Sequence, residues 1–435
     1  MKKWLALGLV SLMLVITACG NNNAPTNNAS NNNTPTATNS GGNTPAAEET
    51  PNTEGLQPEE GAELVVWDSK NQREVLEQLV EQFKAKYNVS VKIEEVETPD
   101  QIGRLTIDGP AGTGADVVSF AHDGLGQAVS AGLILPNDYF EEATRATNAE
   151  AAVNAVTYDG KLYGYPRSVE TYALFYNKDI LQTPPTSFEE IVEFAKTFNT
   201  DSKYAIMWET NNFYFNYPFI ATNGGYVFGS NGQDAKDIGL NNDGAVKAMN
   251  LYQDLKEILP IKSGDITGDL IQTKFANGEI AMTITGPWKV GDFRNAGINF
   301  GVAKIPTMNG DEAVSFSGVK AWYVNAYSKY PQAARLLADF LGQKDSQLLD
   351  YQVTGIIPSN TEATADAKFT ADEIASGFAS QFVNSHAMPS IPEMGKVWDP
   401  AAAALAEIWD NGVDPKAALD NAVQQISDAI NGATK

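Results

Sequence analysis

The sequence predicts an α/β protein whose folded body divides into two lobes. From about residue 63 to the C-terminus, segments with the pattern of short buried strands alternate with amphipathic helical segments. Strand, helix and strand in succession are typical of parallel βαβ units. The chain has 435 residues, of which 43% are hydrophobic, so it is long enough to form more than one core.

The first elements of the body form such a succession. LVVW at 64–67 is an apolar run with polar flanks, which predicts a buried strand. Apolar residues at helical spacing predict an amphipathic helix over 72–87. Alternation at 89–93 predicts a second strand, and ADVVSF at 115–120 predicts a third, preceded by a turn at 109–116 that is rich in glycine.

The later segments continue the alternation. TSFEEIVEFAKTF at 186–198 predicts a helix with a capping box, because Glu190 follows Ser187 at the required spacing. The remaining predicted elements are a strand and turn at 174–181, a strand running into a Gly-Pro turn at 279–288, an alternating segment at 320–328, and helices at 331–342 and 415–430.

Residues 1–18 have the layout of a bacterial signal peptide. Lys2 and Lys3 precede an apolar run that ends before the small residues Thr17 and Ala18. The run is shorter than the roughly 20 residues of a permanent transmembrane helix. The segment ITAC resembles the lipobox of bacterial lipoproteins, which implies cleavage before Cys19 and attachment of lipid to its sulfur. The alternative is an ordinary signal with an incidental cysteine.

Residues 19–61 are predicted to be a disordered tether behind this lipid anchor. Between Gly20 and Gly55 there is no Val, Ile, Leu, Met, Phe, Trp or Tyr. Such a segment cannot bury enough apolar surface to offset the entropy of ordering it. The alternative is a segment that folds on binding a partner.

The composition argues against several functional classes. The net charge of −24 would repel phosphate backbones, so no nucleic-acid partner is expected. Two histidines and one cysteine argue against a zinc or iron–sulfur site, and we expect neither a metal nor a cofactor.

Aromatic and acidic residues follow several of the predicted strands. Ligands of open α/β sheets bind beyond the carboxyl ends of the strands. Flat aromatic faces suit the C–H faces of sugar rings, and carboxylates accept hydrogen bonds from sugar hydroxyls. Taken one at a time, however, most aromatic residues of such a body are part of a core, so composition alone is a weak signal.

From about Glu63 onward the chain resembles the maltose/maltodextrin-binding proteins, the solute receptors of sugar ABC importers. The resemblance rests on five segments in order: ADVVSFAHDGLGQAVSAGLI, YDGKLYGYPRSVETYALFYNKDIL, FYFNYPFIATNGGYVF, GEIAMTITGPW and AMPSIPEMGKVW. It implies a two-lobe periplasmic-binding-protein fold of type II, with hinge crossovers between lobes built from βαβ sheets flanked by helices. The implied N-terminal lobe comprises residues 62–168 and 312–370, and the C-terminal lobe 169–311 and 371–435.

The resemblance also implies a set of sugar-binding residues. Asp123 and Glu170 match carboxylates that bind sugar hydroxyls, and Asp68 and Lys70 match an acid–lysine pair near the first strand. The aromatic residues that match those of the family cleft are Phe120, Tyr214, Phe215, Trp288 and Trp398. The chain departs from the family pattern in three places: Phe120 stands where the enteric member has Trp, Gly124 replaces an Arg, and Asn212 replaces a Glu. Arg167 could supply a compensating donor.

Structural roles compete with these assignments. Asp123 could cap the next helix, and Glu170 could be a partner in a structural ion pair. The aromatic residues of this set could be core. We expect Trp67, Trp208, Trp322 and Trp409 in core or peripheral positions outside the site, and Met282 in a core because it lies inside a predicted strand.

The implied function is capture of maltose or maltodextrin-type oligosaccharides at the extracellular face of the cell membrane. The receptor is expected to be a lipid-anchored monomer that docks on the permease subunits of an ABC importer and has no enzymatic activity. One alternative is the same fold with another cargo, such as a cyclodextrin. The other is an anchored glycoside hydrolase, for which Asp123 and Glu170 are the candidate carboxylates.

Overall fold

A computed structural model describes residues 55–432. The predictions for the signal peptide, for lipidation at Cys19 and for most of the tether lie outside the described residues. The described end of the tether, residues 55–61, lies against the body, where the Glu59 carboxylate accepts hydrogen bonds from the backbone N–H groups of Gln332 and Ala333 at 2.8 and 3.0 Å. Within the described residues, no helix is long and apolar enough to cross a membrane.

The described residues contain thirteen strands. In chain order they are β1 Glu63–Asp68, β2 Ser90–Glu95, β3 Val117–Ala121, β4 Thr157–Tyr158, β5 Lys161–Leu162, β6 Tyr165–Thr171, β7 Ala173–Asn177, β8 Tyr204–Ile206, β9 Asp234–Ile238, β10 Ile280–Thr285, β11 Phe300–Ala303, β12 Ser315–Val324 and β13 Ser385–Ala387.

The same residues contain nineteen α-helices. In chain order they are α1 Arg73–Tyr87, α2 Gln101–Ala111, α3 Leu125–Ser130, α4 Glu141–Thr147, α5 Glu150–Ala155, α6 Phe188–Phe198, α7 Phe213–Asn216, α8 Pro218–Ala221, α9 Gly229–Gly232, α10 Asp243–Asp254, α11 Gly268–Ala276, α12 Val290–Asn295, α13 Pro331–Gly342, α14 Lys344–Thr354, α15 Thr361–Thr364, α16 Ala367–Thr370, α17 Glu373–Phe382, α18 Trp398–Asn411 and α19 Pro415–Gly432.

The first sheet has the strand order β13-β12-β3-β1-β2, with β6 also paired to β12. β1 is parallel to both β2 and β3, as the predicted βαβ units require, whereas β12 runs antiparallel to β3 and β6. Helices α1 and α13 cover this sheet through a core that includes Leu76, Phe83, Trp322 and Leu337. Because β1 and β3 are parallel, the residues that follow them lie at the same edge of the sheet.

The second sheet has the order β11-β7-β10-β8. β10 is antiparallel to β7 and parallel to β8. Its core is rich in aromatic residues, among them Phe175, Trp208, Phe219, Tyr252 and Trp409. Strand β10 of this sheet ends at Thr285, immediately before the predicted Gly-Pro turn.

The chain passes between the two sheets more than once. β6 belongs to the first sheet and β7 to the second, and Tyr172 connects them. β11 belongs to the second sheet and β12 to the first, so residues 304–314 form another passage. The chain later returns to the first sheet at β13. The division into two lobes at the boundaries given above stays a prediction.

Most of the predicted strands and helices are found with shifts of one or two residues at their ends. The segment predicted to alternate at 320–328 overlaps β12 only over 320–324, because that strand begins at Ser315 and ends at Val324. Ser187 caps α6 by accepting the Glu190 N–H at 3.2 Å, which confirms the capping interaction. The prediction of a turn over all of 109–116 is wrong at its start, because α2 continues to Ala111 and ends at Gly112, whose φ of 70° suits glycine. The four tryptophans predicted to be core or peripheral are all buried, and so is Met282, for which a core position is predicted.

Candidate functional site

Three of the predicted aromatic residues lie side by side. Tyr214 and Phe215 belong to the short helix α7, which begins after Asn212, whose side chain accepts the Tyr214 N–H at 3.1 Å. Trp288 lies in the 3₁₀ turn Pro287–Lys289 that follows β10. The Trp288 ring is 6.2 Å from the Tyr214 ring and 6.3 Å from the Phe215 ring, measured between centroids.

Trp398 joins this group through two phenylalanines. Its ring centroid lies 5.8 Å from that of Phe213 and 6.1 Å from that of Phe316. The Phe316 ring in turn stacks on Tyr214 at 6.2 Å with an interplanar angle of 20°. We call Tyr214, Phe215, Trp288, Trp398 and Phe316 the aromatic cluster. Tyr214, Trp288 and Trp398 are half-buried, so part of each ring faces solvent.

Asp123 lies at the carboxyl end of β3, in the 3₁₀ turn His122–Gly124. The carboxyl group is half-buried by surface area, yet the atoms packed around it raise its pKa to about 7. Hydrogen bonds from the side chain of Trp398 and from the amides of Asp123 and Gly124 oppose this rise in pKa. The N-cap of α3 is Gly124, so Asp123 does not occupy the capping position that the alternative assigned to it.

Glu170 lies near the end of β6 and is half-buried. Its carboxylate accepts a hydrogen bond from the Ser168 hydroxyl at 2.7 Å. Burial raises the pKa of Glu170, and the neighbouring Lys320 opposes the rise. The pKa of the Tyr214 hydroxyl is raised, mainly by burial and also by the negative charges of Glu170 and Asp123. Both carboxylates are therefore close enough to Tyr214 for their charges to affect it.

Asp68 is the last residue of β1 and is buried in a cluster of charges. Its carboxylate accepts hydrogen bonds from the Arg167 guanidinium, from Lys320 Nζ at 3.1 Å and from the Ser69 N–H at 2.9 Å. Desolvation would raise the pKa of Asp68, but the charges of Arg167 and Lys320 outweigh it and lower this pKa. The lysine that contacts Asp68 is therefore Lys320, from a distant strand, while the assignment of Asp68 and Lys70 as sugar-binding residues stays a prediction.

Arg167 is a structural ion-pair partner in this cluster. Its side chain is 2% exposed and also donates to Asp350 Oδ2 at 2.6 Å and to Gln72 Oε1 at 2.5 Å. The guanidinium lies 4.5 Å above the Trp322 ring. With these donors engaged inside the protein, the structure does not place Arg167 as the compensating donor that the sequence suggested.

The Lys70 side chain and the Phe120 ring make no hydrogen bond or ring contact with the aromatic cluster among the described residues. The Lys70 side chain is exposed, and the backbone N–H of Lys70 donates to Glu97 Oε1 at 3.2 Å. Phe120 is 1% exposed and stacks on Tyr323 at 3.9 Å in the core of the first sheet. Phe120 points into that core because the side chains of a strand alternate between faces.

Elements of the two sheets meet at the predicted site. Asn71, which follows β1, donates from Nδ2 to the Trp288 carbonyl oxygen at 3.3 Å. The buried His122 ring bonds through Nε2 to the Met388 carbonyl at 2.9 Å, and its Nδ1 accepts the Val319 N–H at 3.1 Å. Sequence reasoning did not single out Asn71, Phe316 or Lys320.

The structure thus brings together six of the nine predicted sugar residues. Asp123 and Glu170 lie next to the aromatic cluster, whereas no hydrogen bond or ring contact among the described residues joins the side chain of Asp68, Lys70 or Phe120 to it. A cavity of about 290 Å³ lies in a different region, between α4, the start of β6 and the end of α13. None of the nine predicted residues lines that cavity.

Comparison with known proteins identifies the family of the chain. The family model described as bacterial extracellular solute-binding protein matches residues 78–376. The chain is 32% identical over 444 aligned residues to a maltooligosaccharide ABC transporter solute-binding lipoprotein of Streptococcus pneumoniae, with 99% of this chain and 97% of the relative covered. It is 35% identical to a galactooligosaccharide-binding protein of Bacillus subtilis, with 84% and 88% covered.

A solved structure gives the same result for the fold. The protein MalX of Streptococcus pneumoniae, solved in complex with maltopentaose, is 33% identical and matches with a TM-score of 0.78. The match covers 84% of this chain and all of that chain. On the family match and on these relatives, the chain belongs to the bacterial extracellular solute-binding proteins.

Proposed function

We propose that this chain captures maltooligosaccharides at the aromatic cluster and delivers them to a membrane ABC importer. The observation that carries the proposal is the convergence of Tyr214, Trp288 and Trp398 with Asp123 and Glu170. One relative that aligns over most of this chain is named as a maltooligosaccharide-binding lipoprotein, and another was solved in complex with maltopentaose.

The chemistry of the cluster suits a glucan. The apolar faces of successive glucose rings would lie on the half-buried Tyr214, Trp288 and Trp398 rings. Sugar hydroxyls that point away from those faces would donate to Asp123 and Glu170, which are strong acceptors when ionised. Linear maltooligosaccharides present both features in repeat, so several rings could be held at once.

We propose that the sugar also holds the two sheets together. Asn71 and Asp123 follow strands of the first sheet, and Trp288 follows a strand of the second. A ligand that contacts residues of both sheets binds best when they are close, so it shifts the population toward the closed arrangement. The passages at Tyr172 and at 304–314 are the proposed hinges.

We place the mature protein at the extracellular face of the membrane, held by lipid on Cys19 and acting as a monomer. The lipobox and the lipoprotein named among its relatives support this location. The partners would be the permease subunits of the importer, which receive the sugar when the receptor opens.

We further propose that binding leaves the sugar intact. The family consists of solute-binding proteins, and hydrolysis would need one carboxylic acid placed to protonate the glycosidic oxygen and a second carboxylate on the other side. Long incubation of maltotriose with the purified protein should return only maltotriose by chromatography. Release of glucose or maltose would support the hydrolase alternative.

A second candidate cargo is a galactooligosaccharide. The relative with that name is 35% identical, slightly more than the maltooligosaccharide-binding relative at 32%. The aromatic cluster would accept either sugar on its flat faces, so the carboxylates and their neighbours decide between them. A cyclodextrin remains the third cargo in the comparison.

A thermal-shift panel tests the cargo. Purified mature protein is melted with maltose, maltotriose, maltopentaose, a cyclodextrin and a galactooligosaccharide, each well above its expected Kd. A ligand that binds the folded state alone raises Tm by mass action. We expect maltotriose or maltopentaose to give the largest rise. A rise with the galactooligosaccharide alone would replace the proposed cargo, and no rise with any sugar would refute the proposed function.

A further inference from the structure

The pairing of β12 with β6 brings an unexpected lysine to the edge of the predicted site. The register shifts between Lys320, which pairs with Ser168, and Ala321, which pairs with Pro166. Arg167 is thus the extra residue of a bulge, and a bulge changes the direction in which a side chain points. As a result both Arg167 and Lys320 reach the same acceptor, the Asp68 carboxylate.

Lys320 has donors that the protein does not use. Its ammonium group carries three N–H bonds. Among the described residues, Asp68 Oδ1 is its one hydrogen-bond acceptor, at 3.1 Å, although the residue is only 7% exposed. Arg167, in contrast, has Asp68, Asp350 and Gln72 as partners. A nearly buried cation with unused donors is expected to meet a polar partner.

The place that these donors face is the acidic side of the sugar site. Gly318 pairs with Glu170 and Lys320 pairs with Ser168, whose hydroxyl donates to Glu170 Oε1 at 2.7 Å. Alternate residues of a strand share a face, so Lys320 and Glu170 lie on the same face of the sheet. The negative charge of Glu170 in turn helps to raise the pKa of the Tyr214 hydroxyl, which belongs to the aromatic cluster.

We infer that Lys320 is a sugar-binding residue, whose ammonium group is oriented by Asp68 and donates to ligand hydroxyls beside Glu170. This inference rests on the proposed function, because it concerns the same site. It gives Asp68 a positioning role, in which it orients the ammonium group and does not touch the sugar. A donor from Lys320 next to an acceptor from Glu170 would match a sugar hydroxyl that accepts and donates at once.

Calorimetric titration of maltotriose tests the inference. We expect Lys320→Met to weaken binding about 10- to 100-fold, the usual effect of losing a hydrogen bond from a charged group. Lys329→Met, at an exposed site, makes the same change of net charge and should bind as the wild type does. Thermal melts without sugar report whether each variant is folded, and Arg167 keeps Asp68 paired in Lys320→Met.

Maltotriose derivatives that lack single hydroxyl groups distinguish a direct contact between Lys320 and the sugar from a purely structural role of Lys320. If Lys320 touches a hydroxyl, one singly deoxygenated maltotriose should bind the wild type more weakly but lose nothing further with Lys320→Met. A purely structural role predicts that every deoxy-sugar loses the same factor in both proteins, and that result would overturn the inference.

Other outcomes are equally distinct. If folded Lys320→Met binds maltotriose with wild-type affinity, the inference is overturned while the proposed function stands. The same conclusion follows if Lys70→Met loses more affinity for maltotriose than Lys320→Met does. If the wild type binds none of the sugars, the proposed function and the inference both fail. If Lys320→Met does not fold, Lys320→Arg serves instead, and unchanged affinity with its bulkier, planar group would refute the inference.

Discussion

Replacing Gly286 by alanine should weaken sugar binding by displacing the Trp288 indole. A Cβ atom built on Gly286 would lie 2.1 Å from Cη2 and Cζ3 of Trp288 and 2.5 Å from Cε3. The backbone at Gly286, with φ −101° and ψ 177°, is allowed for alanine, so the conflict is with the ring alone. To restore ordinary contact the indole must move by about 1.3 Å.

That displacement sets the size of the effect. A gap of about 0.5–1 Å already removes a quarter to a half of the dispersion energy of a contact. Truncating a buried aromatic anchor typically costs about 2 kcal/mol or more, or about 30-fold in Kd. Losing half of that amount predicts that Gly286→Ala weakens maltotriose binding about fivefold.

Calorimetric titration of maltotriose measures this effect, with thermal melts to show that each variant is folded. Gly264→Ala is the matched control, because a Cβ there meets no atom within 4 Å, and it should bind as the wild type does. Wild-type affinity in folded Gly286→Ala would show that the position of the Trp288 ring does not matter for binding, and the assignment of this indole to the sugar site would then be wrong.

Three further predictions follow from the same structure. Trp288→Ala should weaken maltotriose binding about 30-fold or more with little change in the melting temperature of the sugar-free protein; equal affinity would remove Trp288 from the site. Because the pKa of Asp123 is about 7, its carboxylate ionises as the pH rises through that value; affinity measured by titration should therefore increase from about pH 5.5 to pH 8, and Asp123→Asn should show a flatter profile. A decrease with rising pH, or the same profile in Asp123→Asn, would contradict this role. Asp350→Asn removes one carboxylate from the buried Arg167 and should lower the free energy of unfolding in urea by about 3 kcal/mol, whereas Glu312→Gln, in an exposed pair, should change it by less than about 1 kcal/mol; similar small effects would contradict the importance of the buried cluster.

Much of the fold could be predicted because its elements carry strong local patterns. The alternation of β2 and the apolar stripe of α1 are visible in the letters alone. The exception at α2 has a local cause. Gly109 and Pro110 favour turns, yet both lie in the last turn of the helix, where Pro110 lacks the N–H that would bond to the preceding turn, and the helix stops two residues later at Gly112.

Part of the candidate site could also be predicted. Trp288 and Asp123 follow strands directly, so the rule that ligands bind at strand ends locates them. The role of Phe120 could not be decided in this way, because both faces of β3 are buried and the sequence does not show that the Phe120 ring is enclosed at the end of the strand. Its stacking on Tyr323 depends on the pairing of β3 with β12, strands separated by almost 200 residues.

The contact between Asp68 and Lys320 is a second example of a contact between distant parts of the chain that the sequence does not predict. Lys70 is two residues away from Asp68 in the sequence, and the family resemblance points to it as the lysine beside that residue. Lys320 is 252 residues away and reaches Asp68 through the pairing of β12 with β6 and the bulge at Arg167. Long-range register of this kind leaves no local signal, so the cation could be identified only in the folded chain.

The crystal structure of the mature protein with maltotriose tests the central claim most directly. We predict glucose rings stacked on Trp288 and Trp398, close to Tyr214, with hydroxyls donating to Asp123 and Glu170. Sugar bound elsewhere, for example in the cavity of about 290 Å³ beside Tyr165, with the aromatic cluster left without contact to it, would contradict the account.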